Sequence, residues 1–245
     1  MAYLPILTYH RLLKEDPTRK VDPKRISVSQ AQFRSHLRWL NRLGYRTLGL
    51  PDYVRTLRAG NAIARRSLAI TFDDGYEDVL TLALPVLQEF GFTATIFAVP
   101  AHVGGVNAWD DGGARLLTAD QLRLLHKAGM TIGAHTLTHV HLTRVTAETA
   151  RHEIRESKTQ LEDLLGSSVS LLAYPYGETN ASVDALAREA GFEAAFATDQ
   201  APADHARHLH RLRRVVVFPR NTPWEIIVKT QRWYPAYQDW KRAAS

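Results

Sequence analysis

Hydrophobic and polar positions along the chain repeat one unit. An amphipathic run stops at a glycine followed by an apolar residue, and a short apolar stretch begins. This happens at Leu43 to Leu48, Phe90 to Phe97, Ala128 to Ile132 and Ala190 to Phe196. Glycine just past the last helical residue, with an apolar contact after it, is the expected helix stop. Ser29 with Gln32 and Thr118 with Gln121 read as capping boxes. They open helices that turn Phe33, Leu37 and Leu40, or Leu122 and Leu125, inward. Apolar runs at Pro5 to Thr8, Leu68 to Phe72, Thr131 to Ala134 and Val169 to Tyr174 read as strands. Strands alternating with helices predict an α/β fold of parallel strands joined by helical crossovers. No Pro/Gly/Ser-rich linker interrupts the pattern, so the expectation is one domain over residues 1–245, with a basic, aromatic tail from about 229. Periodicity does not separate an open doubly wound sheet from a barrel.

Candidate chemistry sits where these runs end. Thr71-Phe72-Asp73-Asp74-Gly75 places two adjacent carboxylates at a strand end, beside a glycine that permits a sharp turn. Neighbouring side chains there point apart, so one carboxylate can hold a metal while the other faces a substrate. His135-Thr136-Leu137-Thr138-His139 follows another apolar run and spaces two imidazoles one helical turn apart, within reach of one ion. Each string alone is common. Found together, each directly after a strand candidate, they offer one carboxylate and two histidines, and a catalytic zinc site wants three protein ligands and an open position.

These two strings resemble the first two motifs of the polysaccharide deacetylases, the NodB homology domain of carbohydrate esterase family 4. Ala173-Tyr174-Pro175-Tyr176-Gly177 is similar to the third. The commoner family order has a leucine-x-histidine near the C-terminus; here the better match is Leu7-Thr8-Tyr9-His10, as in permuted members that include the biofilm poly-N-acetylglucosamine deacetylases. The resemblance implies a distorted, incomplete (β/α) barrel of about seven parallel strands, with the site at their C-terminal ends. It implies a metal-dependent N-deacetylase that hydrolyses the acetamide of an N-acetylhexosamine in a glycan or in a lipid- or nucleotide-linked sugar, the alternative being a catalytically silent carbohydrate-binding relative of the same fold. Asp74, His135 and His139 would bind a divalent metal, Zn²⁺ above all. Asp73 would be the general base, His10 the general acid and the backbone N–H of Tyr176 the oxyanion donor. The arginine that many members carry before the third motif is replaced by Ala173, and Arg214, ahead of Arg213, is the substitute for orienting the base. Trp109, Tyr174 and Pro175 are the implied substrate contacts, and Trp109 could instead anchor its loop, Asn107 to Gly113. No string matches the family's tryptophan-containing fourth motif. His141 would face away from the site, and His205, His208 and His210 form either an accidental exposed cluster or a weak metal-binding one.

Composition narrows the alternatives. Without cysteine there is no disulfide framework, thiol catalysis or thiolate metal site. Net charge of +6 raises the question of nucleic acid, but the cations are spread along the chain and no nucleic-acid-binding signature occurs, so none is expected as a partner. Lys229 to Arg242 interleaves cations with aromatics, which suits an anionic membrane surface or a tail packed back on the barrel. The stretch from Met1 to Leu7 has no basic region and is too short for a signal segment or membrane span. The expectation is therefore a cytoplasmic protein, peripheral to the inner membrane face, acting on a lipid- or nucleotide-linked sugar.

Overall fold

The computed structural model describes residues 3–15, 22, 25–109, 113–198, 201 and 204–243. The strands are β1 (Ile6–Tyr9), β2 (Arg11–Leu13), β3 (Ser27–Ser29), β4 (Arg46–Thr47), β5 (Ser67–Phe72), β6 (Thr95–Ala98), β7 (Thr131–Ala134), β8 (Leu171–Ala173), β9 (Ala194–Phe196) and β10 (Val215–Val216). The helices are α1 (Gln30–Arg42), α2 (Leu50–Arg58), α3 (Leu84–Glu89), α4 (Ala119–Lys127), α5 (Ala147–Leu165), α6 (Ala181–Glu189), α7 (Pro223–Lys229) and α8 (Tyr234–Ala243). Gly44, Gly91, Gly129 and Gly191, the predicted helix stops, stand at φ 77, 64, 85 and 79°.

Seven strands pair in parallel in the order β10-β1-β5-β6-β7-β8-β9, and β4 adds to the start of β5. A lone parallel bridge from Phe196 to Leu212 ties the edge strand β9 to the segment entering β10, so the sheet curls back on itself. This is a distorted, incomplete (β/α) barrel.

Strand alternation divides the apolar residues into two cores. Leu7, Tyr9, Ile70, Phe72, Ile96, Leu172 and Tyr174 pack outward against the helices. Ile6, Ala69, Phe97, Leu171, Ala173 and Phe196 pack with one another and with α2 residues such as Tyr53 and Val54. Gly133 makes room in that second core, since a Cβ there would lie 2.6 Å from the Phe97 ring. Because β1 and β5 pair in register from Ile6↔Ala69 to Tyr9↔Phe72, His10 and Asp73 emerge side by side at the C-terminal ends of their strands.

One expectation needs correction here. Ser29 caps α1 by accepting from Gln32 N, but Gln32 does not complete the box; its Nε2 donates to Pro219 O and Asn221 O at 2.7 and 2.8 Å. The C-terminal stretch packs back on the barrel, one of its two expected readings. Lys229 is buried, with Nζ donating to Val216 O and Asn221 Oδ1, each at 2.7 Å, and α8 is tied down by Arg213 through Pro235 O and Asp239.

Candidate active site

Beyond Phe72 the chain divides its two carboxylates. Asp73 N–H donates to Tyr9 O at 3.0 Å, extending the strand ladder by one residue. Asp74 then adopts φ 72°, a left-handed conformation that Asp tolerates better than most residues, and its side chain swings elsewhere. The buried Asp73 carboxylate meets Arg214 in a two-pronged pair, Nη1–Oδ1 2.6 Å and Nη2–Oδ2 2.7 Å. Arg214 is itself fully buried, donating also to Ala197 O and Thr71 Oγ1 and lying 5.3 Å from the Phe97 ring centre. Burial alone would raise the Asp73 pKa; Arg214, helped by His135 and His10, outweighs it and holds the carboxyl below its usual value.

Asp74 faces two imidazoles, its Oδ1 lying 3.4 Å from His135 Nε2 and 3.2 Å from His139 Nε2. One ligand atom from each of the three residues falls within 4.8 Å of the others, and all three are buried. The histidines do not share a helical turn, as their spacing predicted. His135 follows β7 and His139 sits in a turn at φ 67°, reached through Thr136 at φ 61°. His135 Nδ1 donates to Ala173 O at 2.8 Å, so the neutral ring turns the Nε2 lone pair toward the cluster, whereas the protonated ring donates from Nε2 to Asp74. This carboxylate-imidazole-imidazole set fits a divalent metal that accepts oxygen and nitrogen ligands. Burial opposes ionisation of Asp74, yet the hydrogen bonds from His135 and His139 hold its pKa well below the ordinary value.

The remaining predicted residues separate. His10 reaches this mouth: its charge acts on both Asp73 and Asp74, and its Nδ1 is buried without a hydrogen-bond partner among the described residues. Tyr176 stands at φ 60°, ψ 5° in the turn Pro175–Gly177, its ring 4.9 Å from that of His139. Gly177 must be glycine, because a Cβ there would come within 2.2 Å of Thr198 Oγ1. Trp109 stacks on His139 at 4.4 Å. The rest of its expected loop, residues 110–112, lies outside the described residues.

Tyr174 is corrected as a substrate contact, since its hydroxyl donates to His210 O and Asp184 Oδ1 on the helix side of the sheet, while the Pro175 side chain is buried in the turn that holds Tyr176. Arg213 points away from the site, toward α8. His205, His208 and His210 do not converge. His205 is buried between Tyr53 OH and Arg213 N–H, His210 donates to Phe192 O, and His208 is exposed.

A profile of the polysaccharide deacetylase family matches residues 60–195. The chain belongs to the polysaccharide deacetylase family. It is 28% identical over 218 residues to YxkH of Bacillus subtilis, provisionally assigned as a polysaccharide deacetylase, covering 89% of this chain and 72% of that protein. It is 25% identical over 240 residues to the poly-β-1,6-N-acetyl-D-glucosamine N-deacetylase of Staphylococcus epidermidis, covering 91% and 81%. Among solved structures, the Streptococcus pyogenes deacetylase PplD in complex with acetate superposes with a TM-score of 0.83 at 24% identity, over 94% of this chain and 99% of that one. The last comparison supports the fold.

His10 and Arg214 lie outside the span matched to the deacetylase profile, yet folding brings both to the residues inside it. Sequence reasoning missed two further supports. Glu153, buried on α5, accepts from Thr138 N at 2.8 Å and Thr138 Oγ1 at 2.6 Å, clamping the loop between the two histidines. A charged residue on the core-facing stripe of α5, beside Ala150, Ile154 and Ser157, was the available signal. His141, set aside as facing away, stacks flat on Tyr176 at 3.6 Å and is held by Glu178 at 3.1 Å.

Proposed function

We propose that this chain is a metal-dependent N-deacetylase that hydrolyses the acetamide of an N-acetylhexosamine and releases acetate. One observation carries the reading: a buried Asp74-His135-His139 ligand set beside a second carboxylate, Asp73, that is paired elsewhere and so left for chemistry. A divalent cation, with zinc the proposed identity, supplies a Lewis acid that acidifies water and polarises the acetamide carbonyl. Asp73 takes the proton of the attacking water. Arg214 outweighs burial and keeps this carboxylate ionised to accept that proton, and its lone pairs not used by Arg214 remain available. Arg214 fixes the carboxylate plane through two parallel hydrogen bonds. The Tyr176 N–H donates to the developing oxyanion, and His10 protonates the departing amine. Trp109, beside His139, offers the sugar an aromatic face.

The named activity of the Staphylococcus relative makes a β-1,6-linked N-acetylglucosamine polymer the first substrate to try. Our second substrate proposal, a lipid- or nucleotide-linked sugar met in the cytoplasm at the inner membrane face, draws on the exposed Trp233, Tyr237 and Trp240 for peripheral contact with anionic lipid. No helix among the described residues is long and apolar enough to cross a membrane. Acetate release from metal-loaded protein should be followed with β-1,6-linked oligomers, chito-oligomers and undecaprenyl-linked N-acetyl sugars in parallel. Chelator-sensitive release from any of them supports the activity, and the preferred one names the substrate. No release from all three overturns the reading.

A further inference from the structure

At the end of the barrel opposite the mouth, a solvent-open cleft of about 590 Å³ lies between the strand starts and the C-terminal end of α7. Pro5 and Ser67 mark its place, one residue ahead of β1 and at the first residue of β5. Six residues of extended chain separate Ser67 from Asp73, roughly 20 Å at the usual strand rise. Three arginines line this cleft, Arg65, Arg66 and Arg232, and no carboxylate does.

Other arginines on this surface are neutralised. Arg34, Arg58, Arg123 and Arg151 each meet a carboxylate: Glu89, Glu193, Asp120 and Glu189 in turn. Within the cleft, Arg66 donates to the backbone oxygen of Leu43 at 2.7 Å and stands at φ 60°, so it is held in place by a carbonyl instead of an acid. Arg65 and Arg232 are exposed and have no ion-pair partner among the described residues. The cleft wall is tied together: Tyr45 OH receives hydrogen bonds from Thr230 Oγ1 at 3.0 Å and Gln231 Nε2 at 3.2 Å. Cations gathered round one concavity repel each other, and a multiply charged anion removes that repulsion while offering acceptors to the guanidinium forks.

We propose that this cleft is an anion site that binds a phosphate group, separate from the deacetylase mouth. The phosphate belongs either to a soluble phosphate compound or to a lipid headgroup; the exposed Trp233 next to Arg232 is placed to touch a membrane surface in the second case.

The test uses the unmodified chain in two arms. Inorganic phosphate and pyrophosphate are titrated calorimetrically at low ionic strength, and co-sedimentation is measured with phosphatidylglycerol and with phosphatidylcholine vesicles. The double variant Arg65→Gln/Arg232→Gln should weaken binding at least tenfold. Arg65→Lys/Arg232→Lys should keep most of it, and unchanged melting curves would show that both variants fold. Binding of pyrophosphate without preference for phosphatidylglycerol assigns the site to soluble phosphate. Preferential sedimentation with phosphatidylglycerol, lost in the glutamine variant and displaced by glycerol 3-phosphate, assigns it to a headgroup. Absence of binding in both arms, or binding that the glutamine variant leaves unchanged, overturns the proposal.

Discussion

His135 and His205 are both buried, at 2% and 1% exposure, and both belong to histidine-rich stretches, yet their surroundings push them in opposite directions. Burial lowers the pKa of each. At His135 the hydrogen bond with Asp74, then the charges of Asp73 and Asp74, overcome burial and raise it. At His205 no comparable carboxylate intervenes; Arg213 adds to the burial effect, and the pKa falls to about 3. Both ring nitrogens of His205 are already used, one with Tyr53 OH at 2.5 Å and one accepting from Arg213 N at 3.1 Å. A buried imidazole can serve as a ligand only when one of its nitrogens is left to give, and beside His135 Asp74 supplies a third donor.

The sharpest way to break this contrast is to remove ligands from each side. Asp74→Ala, His135→Ala or His139→Ala should each lose the metal and abolish acetate release, because two ligands leave the site undersaturated. His205→Gln should retain stoichiometric metal. Elemental analysis of purified, dialysed variants checks both, and full occupancy in the three mouth variants would remove the assignment.

Next in size is the division of labour between the paired carboxylates. Asp73→Asn should keep the metal and lose about 10²–10⁴-fold in kcat, the range of a general base. Metal lost together with intact activity in excess zinc would exchange the roles of Asp73 and Asp74. Arg214→Met leaves Asp73 buried with its guanidinium partner removed, so it should destabilise the chain by about 3–5 kcal/mol as well as slow it. Denaturant melts read that cost.

How much of this was legible in the sequence follows from which interactions are local. The helix stops at Gly44, Gly91, Gly129 and Gly191 depend on the residues beside them, and their backbone conformations match the pattern. Asp73, Asp74, His135 and His139 could be singled out because each of the two strings that carry them lies where an apolar run ends. The two-way use of Arg214 could only be guessed: its partner is 141 positions away, and the adjacent Arg213, also buried, looks the same in sequence. Tyr174 was misread for a related reason. Its motif points at a substrate, but strand alternation turns the ring toward α6, where Asp184 waits. Glu153 marked itself as a charge on the core-facing stripe of α5, but the loop it clamps has no regular period to say what it would bind.

His10 carries a smaller predicted effect and tests the mouth from its other side. His10→Ala should preserve metal and fold while slowing acetamide hydrolysis far more than hydrolysis of an activated acetyl ester, since an amine must be protonated to leave and a nitrophenolate need not be. Equal losses on both substrates would mean that His10 positions the substrate. An unchanged acetamide rate would exclude it as the acid.

The mildest expected effect returns to the buried histidines outside the mouth. His36, between Tyr9 OH and Asn221 O, has its pKa lowered to about 4 by burial, and His205 is lowered to about 3. An unfolded chain protonates both below about pH 6.5, whereas the folded chain does not until those lower values. Their contribution is therefore complete above pH 6.5 and is lost as pH falls toward 4, by up to about 3 kcal/mol each at 1.36 kcal/mol per pKa unit. Asp78 works in the opposite sense. Burial raises its pKa to about 7, so its contribution is present at low pH and is lost as pH rises from about 4 to 7. Denaturant unfolding in chelator-containing buffers between pH 7 and 4 should show a shallower acid loss for His205→Gln and His36→Gln than for the parent, and a steeper one for Asp78→Asn. Only the slopes are compared, because each substitution also changes packing. Parallel slopes for both histidine variants and the parent would mean that these rings are protonated in the folded chain, and the contrast with His135 would then no longer rest on their surroundings.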